Sequence, residues 1–177
     1  MVLIIGGVFL LAFAAHCSAQ SVRAVCPEDA LIKRKGEYDF RVKNGTCFLF
    51  MASDKVTHDE AELQCMKIGG FLAMPKTKDV NDFLLREMKL LDKPQPMWIG
   101  MHQGLTQGKF VWQDGSDVVD WGNFDWANGG FFGTGDEHCI ALDPGDGKWH
   151  DYSCYEGFLS SLSLFNTYKL PFVCEFP

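Results

Sequence analysis

The sequence contains no run of basic residues longer than Lys33-Arg34-Lys35 and has an excess of acidic residues. Sixteen Lys and Arg stand against 23 Asp and Glu, so the formal net charge is −7 at pH 7. Proteins that bind nucleic acid or anionic lipid through charge carry clustered Lys and Arg that neutralise phosphates. The composition therefore argues against a nucleic-acid partner and against polybasic membrane attachment.

Long apolar runs are also lacking beyond the N-terminus. Residues 2–15, VLIIGGVFLLAFAA, are continuously apolar, but a bilayer span needs roughly 20 such residues. Cys17 and Ala19 then occupy the −3 and −1 positions of a signal-peptidase site. We expect a cleaved signal peptide over 1–19 and a secreted domain over 20–177 without a transmembrane segment; a short membrane anchor is the alternative.

Cysteine is present in an odd number, seven. Cys17 falls in the predicted signal peptide, which leaves six. An even set in a secreted chain predicts three disulfides, although six cysteines allow 15 pairings. Asn44-Gly45-Thr46 is a sequon, and we predict N-glycosylation at Asn44. The remaining cysteines are Cys26, Cys47, Cys65, Cys139, Cys154 and Cys174.

Internal repeats and low-complexity tracts are absent, and the periodicity predicts an α+β domain. A capping box at Thr57–Glu60 opens a helix that Gly69-Gly70 ends, and apolar spacing predicts a second helix over 79–91. The segment 113–136 is rich in Gly, Asn and aromatic residues, which is typical of a functional loop. Short strands are predicted at 98–101, 109–112, 138–142, 148–152 and 172–176.

The stretch 147–155, GKWHDYSCY, places His150 beside Asp151 among aromatic residues. A catalytic pair is disfavoured, because neighbours on a strand point to opposite faces. The run resembles the His-Asp-x-Cys of secreted phospholipases A2, but Cys154 lies one residue later and no Gly-rich calcium loop precedes it. We therefore predict no enzymatic activity.

A zinc site is the other chemistry that this stretch raises. Zinc needs three or four ligands at about 2.0–2.2 Å. The candidates have no tight His-x-x-x-His spacing, so we expect solvent-facing histidines beside a ligand loop instead. Those candidates are His102, His138 and His150, with Glu137 and Asp151.

Several short motifs occur in a characteristic order along the chain. The helix with Cys65 precedes the motifs Trp98-Ile99-Gly100, Trp112-x-Asp114-Gly115, Trp126, Glu137-His138-Cys139, Gly147-Lys148-Trp149-His150-Asp151-x-x-Cys154 and Phe172-Val173-Cys174-Glu175-Phe176. Together they resemble the C-type lectin-like domain over about residues 26–177.

The resemblance implies a C-type lectin-like fold with two helices, two small antiparallel sheets and a long ligand loop. It also implies which cysteines pair. These pairs are Cys65 with Cys174, Cys139 with Cys154, and Cys26 with Cys47, the last marking a longer form with an N-terminal hairpin.

The resemblance further implies a calcium ion that bridges protein and sugar. Of its usual ligands, this chain keeps Glu137 and Asp151. His150 stands where the family has Asn, and imidazole is a poor ligand for calcium, which prefers 6–8 oxygens. The family's ligand tripeptide falls near 129–132, GGFF, which offers no side-chain oxygen.

An accessory calcium site is weakened in the same way, since Gln103, Gln107 and His138 replace acidic positions. No cofactor is therefore certain, and we expect calcium to bind weakly, through Glu137 and Asp151.

The aromatic residues divide into two groups. Trp98, Trp112 and Trp149 are predicted to lie in the core. Phe131 and Phe132 follow two glycines and either contact a ligand or anchor the loop. The 19 residues between Cys154 and Cys174 exceed the family's usual spacing, and the extra segment near 155–167 fits a binding loop, a membrane-active element or a strand extension equally.

The sequence thus predicts a secreted, single-domain C-type lectin-like protein, monomeric or in a small oligomer. By resemblance its partner is a glycan or glycoprotein, such as a microbial surface glycan in innate immunity. Recognition would be calcium-independent or weakly calcium-dependent. A protein-binding or structural module, as in venom, shell-matrix or antifreeze relatives, is the alternative. The predicted ligand contacts are Glu137, His150, Asp151, Phe131 and Phe132.

Overall fold

The structure of the protein, a computed structural model, describes part of the chain. The residues it describes are Cys26, 39–104, 106, 109–119, 121, 123, 138–154 and 168–176. Several predictions fall outside this set and remain predictions. They concern the signal peptide at 1–19, Gln107, Phe131, Phe132, Glu137 and the segment 155–167.

The described elements are two helices and eight strands. The helices are α1 (His58–Lys67) and α2 (Lys78–Lys89). None of the described helices is both long and apolar enough to cross a membrane. The strands are β1 (Asp39–Lys43), β2 (Thr46–Val56), β3 (Phe71–Leu72), β4 (Met97–Gln103), β5 (Phe110–Trp112), β6 (His138–Leu142), β7 (Trp149–Ser153) and β8 (Leu170–Phe176).

Both helices begin at a threonine cap. The Thr57 hydroxyl accepts the backbone N–H of Glu60 at 3.3 Å, and the Glu60 carboxylate accepts the N–H of Thr57 at 3.1 Å. This reciprocal pair satisfies two N–H groups that the first turn of a helix leaves free. Thr77 caps α2 through the N–H of Val80. The two predicted helices are confirmed, with bounds shifted by one or two residues.

The strands form one mixed sheet in the order β1-β2-β8-β4-β6-β7, with β3 on β8 and β5 on β4. Every pairing is antiparallel except that of β4 with β8, where Trp98 lies opposite Phe172. The α+β class is confirmed. The two small sheets expected from the resemblance are joined into a single sheet by this one parallel contact.

Successive strand residues point to opposite sides of the sheet, and each side carries a cluster of buried residues. On one face, Ile99 and Ile140 pack with Phe83 and Leu84 of α2. On the other face, Trp98 lies in a cluster with residues of α1 and the three disulfides. Trp98, Trp112 and Trp149 are each at most 1% exposed, which confirms that they lie in the core.

Three disulfides tie these layers together. Cys65–Cys174 joins α1 to β8, and Cys139–Cys154 joins β6 to the residue after β7. Cys26–Cys47 fastens the N-terminal region to β2. The pairings that the resemblance implied are confirmed.

The hairpin of β1 and β2 closes through a two-residue turn. Asn44 and Gly45 have φ of 52° and 84°, the left-handed conformation that a two-residue hairpin of type I′ needs and that Asn-Gly favours. Asn44 is exposed at the tip. The turn therefore presents the predicted glycosylation site to solvent.

Candidate functional site

The β6–β7 hairpin carries the adjacent residues His150 and Asp151 on β7. In its register, Leu142 lies opposite Trp149, Ala141 opposite His150, and Ile140 opposite Asp151. Paired residues share a face of the sheet. His150 and Asp151 therefore point to opposite faces, as the sequence predicted, and do not form a side-chain pair.

Trp149 fixes the start of β7. Its indole N–H donates to the Asn81 side-chain oxygen on α2 at 2.9 Å, and its backbone N–H donates to the Asn123 carbonyl at 2.8 Å. The ring packs edge-on against Trp112 and Trp121. The strand that carries His150 and Asp151 is thus held by a rigid aromatic core.

His150 does not face solvent. The residue is 8% exposed, and its Nε2 lies 2.8 Å from the Oδ2 of Asp146 in the hairpin turn. The prediction that His150 faces solvent is wrong. His150 lies opposite Ala141 of β6, and Ala141 belongs to the buried face that holds Trp98 and the disulfides. The imidazole is directed towards the turn.

The hairpin turn also orients two carboxylates. Asp143 Oδ1 accepts the backbone N–H of Gly145 at 2.7 Å, and Asp146 Oδ1 accepts that of Lys148 at 2.8 Å. Partial burial raises the pKa of Asp146, but the hydrogen bonds from Lys148 and His150 outweigh this and leave the pKa below its usual value. Asp146 is accordingly held as a carboxylate.

Asp143, Asp146 and His150 together form a metal-competent group. Each offers one ligand atom, and these atoms lie within 4.8 Å of one another. It is the one such group of three within the described part of the chain. Neither aspartate was predicted as a site residue, since Asp-Pro-Gly-Asp-Gly is typical of a turn and gives no sign that Asp146 reaches the strand.

Comparison with known proteins identifies the family. The family model for the lectin C-type domain matches residues 54–160, which is more than half of the chain. The chain belongs to the C-type lectin family. Since members of this family bind carbohydrate and are not enzymes, the prediction of a non-enzyme is confirmed.

Individual relatives agree with this assignment. The α-N-acetylgalactosamine-specific lectin of Patiria pectinifera is 32% identical over 124 residues, covering 65% of this chain and 71% of its own. Human lithostathine has a TM-score of 0.61 at 23% identity, over 85% of this chain and 98% of its own. The cow carbohydrate-recognition domain of CD23, solved in the presence of GlcNAc2Man3 oligosaccharide, has a TM-score of 0.59 at 22% identity, over 85% and 95%. The two solved structures show the fold alone.

The remaining predicted ligands of this C-type lectin are placed only in part. Asp151 is half-buried on β7, whereas Glu137, Phe131 and Phe132 lie outside the described residues. His102 is half-buried on β4, opposite Val111 and Cys139. It is not in the metal-competent group found within the described ranges.

An aromatic row continues from His150 along the same face of the lectin. Tyr152 packs edge-on against Trp98 at 5.6 Å between ring centroids and tilts against Tyr168 at 4.8 Å. Burial and the nearby carboxylates, Asp143 first among them, raise the pKa of Tyr152. Tyr168 is 41% exposed and presents an aromatic surface that was not among the predicted ligand contacts.

Proposed function

We propose that this C-type lectin is secreted and binds carbohydrate in a calcium-independent or only weakly calcium-dependent way. A microbial surface glycan in an innate-immune setting is the ligand class that the family membership favours. The sugar-specific relative from Patiria pectinifera supports the carbohydrate class. The tripeptide that would assign a sugar is missing from this sequence, so the proposal leaves the sugar open.

The observation that carries the calcium part of the proposal is the position of His150. An imidazole has no oxygen to replace that of the family's Asn, and this ring is moreover buried and bonded to Asp146. Calcium prefers 6–8 oxygen ligands. Glu137 and Asp151 alone leave most of that shell to water, and we expect an affinity weaker than millimolar.

The disulfides support secretion. Three cross-links in one small domain are typical of proteins that fold in an oxidising compartment. The apolar run at 2–15 would direct the chain to the secretory pathway as the h-region of a signal peptide. Expression in a eukaryotic secretory cell, followed by sequencing of the secreted N-terminus, tests this; we expect cleavage after Ala19.

Ligand contact would then involve Asp151, Glu137 and the loop aromatics Phe131 and Phe132. His150 would contribute mainly by holding the hairpin turn through Asp146. Asp151→Ala should weaken glycan binding, whereas an unchanged affinity would place recognition elsewhere, such as the segment 155–167.

A glycan array probed with and without chelator tests the function as a whole. We expect binding that persists in chelator. Binding that chelator abolishes would contradict the calcium claim, and an absence of glycan binding in both conditions would favour the protein-binding alternative.

A further inference from the structure

We propose that Asp143, Asp146 and His150 form a binding site for a divalent first-row transition metal of the zinc class. The site lies in the β6–β7 hairpin turn and at the start of β7. It uses neither Glu137 nor Asp151, and it shares only His150 with the calcium position that the family resemblance implies. It does not depend on the proposed carbohydrate function.

The donor atoms have a spacing that a metal ion can close. A tetrahedral zinc ion with ligand bonds of about 2.0–2.2 Å requires its ligand atoms to be about 3.3–3.6 Å apart. The donor atoms of this group lie within 4.8 Å of one another, and His150 Nε2 is 2.8 Å from Asp146 Oδ2. Binding therefore needs an opening of about half an ångström between these two atoms and a modest approach of Asp143.

The protein already orients the ligands. One oxygen of each aspartate accepts a backbone N–H, from Gly145 and from Lys148. Hydrogen bonds of this kind act as the outer shell of a metal site and fix the direction of the coordinating oxygen. The imidazole is fixed as well, because His150 is nine-tenths buried on a strand that Trp149 anchors.

The mixture of ligands selects the metal. One imidazole nitrogen and two carboxylate oxygens suit zinc, copper or nickel, whereas calcium and magnesium prefer oxygens alone. Three protein ligands leave a fourth coordination position for water or an external ligand. The site is therefore of the open kind, rather than the closed four-ligand kind of a structural zinc.

Zinc titration of the full chain, with its three disulfides formed, tests the proposal. We expect calorimetry to show one zinc per chain and the melting temperature to rise with zinc concentration. In cobalt-loaded protein, d–d absorption bands should report direct ligation. Zinc affinity well above calcium affinity is the expected order.

Variants identify the ligands. Asp143→Asn and Asp146→Asn keep a side-chain oxygen for the turn N–H groups while removing the charge, so the hairpin should persist. Each should weaken zinc by at least the roughly 10- to 100-fold that loss of an outer-shell partner costs. Asp92→Asn, at an exposed position after α2, and His102→Gln are matched controls that should leave the affinity unchanged.

Because His150→Ala could unfold the buried face, the imidazole is tested in the wild-type protein by NMR. We expect zinc to shift the ring resonances of His150 and to spare those of His58. Absence of zinc binding at millimolar concentration would overturn the proposal. Binding that survives both aspartate variants, or that His102→Gln removes, would overturn it equally.

Discussion

The Nε2 of His150 lies 2.8 Å from the Oδ2 of Asp146, and this contact connects the buried start of β7 to its own hairpin turn. A residue that stands at a calcium-ligand position of the family is thereby committed to an internal partner. An imidazole has no oxygen, so no side-chain rotation there restores the oxygen ligand that Asn would supply. The contact consequently carries both the weak-calcium proposal and the transition-metal proposal.

Loss of this contact should cost little stability. Asp146 is 45% exposed at its side chain, and partly exposed ion pairs contribute about 0–1 kcal/mol. We expect Asp146→Asn to lower the free energy of unfolding by less than about 1 kcal/mol, measured by urea denaturation without metal. A loss above about 2 kcal/mol would show that the turn depends on the carboxylate.

The Trp149–Asn81 hydrogen bond should matter more, because both groups are buried. Trp149→Phe removes the donor and leaves the Asn81 oxygen without it, and a buried unsatisfied group costs about 1–3 kcal/mol. The lost ring volume adds to this. We expect a fall in unfolding free energy of more than about 2 kcal/mol.

A double-mutant cycle with Asn81→Ala separates the hydrogen bond from the packing. Residues in direct contact show coupling energies of about 0.5–3 kcal/mol. Strict additivity of the two single variants would contradict a direct contribution from the bond.

Glu175 should make stability depend on pH. Burial raises its pKa from the usual 4.5 to about 7, although the Met74 N–H and Lys76 act to lower it and Asp114 acts to raise it. Because the folded pKa is the higher one, the folded protein binds more protons between pH 4.5 and 7, so this contribution to stability declines as pH rises through that window. Between the unfolded and folded pKa values of Glu175, the free energy of unfolding should fall by about 1.4 kcal/mol per pH unit.

Glu175→Gln isolates this effect, since an amide oxygen can still accept the Met74 N–H while carrying no charge. We expect the variant to match wild type near pH 5 and to melt at a higher temperature near pH 8. Burial lowers the pKa of His58 from the usual 6.5 to about 4. Its contribution to stability therefore increases as pH rises between those two values. The melting temperatures of wild type and Glu175→Gln must therefore be compared at the same pH. Equal melting temperatures at pH 8 would contradict the prediction.

Glycosylation at Asn44 is testable by mass. The protein from eukaryotic secretory cells should lose mass on treatment with a glycosidase specific for N-linked glycans. Asn44→Gly removes the acceptor and suits the positive φ of the turn, while Thr46→Val removes the sequon and keeps a β-branched strand residue. Both should abolish the mass change without loss of stability, and a wild-type mass unaffected by glycosidase would refute the site.

The elements that the sequence predicted are those with a clear local signal. The capping box of Thr57 and Glu60 predicts the start of α1, and the spacing of apolar residues predicts α2. The strand β2 was not assigned, because Thr46–Val56 is buried on both faces along Cys47–Met51 and so lacks the period-two alternation on which such predictions depend.

The candidate site was predicted less completely. His150 and Asp151 follow from the motif, and their opposite faces follow from strand geometry. That Asp146 meets His150 depends on how the hairpin closes, since residues four apart meet regularly on a helix but not on a strand. The burial of His150 depends on Ala141 and the packing beneath it, which sequence spacing does not encode.

Calorimetric titration of the chelator-treated protein with calcium tests the central claim most directly. If His150 has removed the family's calcium chemistry, no binding isotherm with sub-millimolar affinity should appear, and calcium should leave the melting temperature unchanged. A sub-millimolar calcium isotherm that Asp151→Ala abolishes would contradict the account.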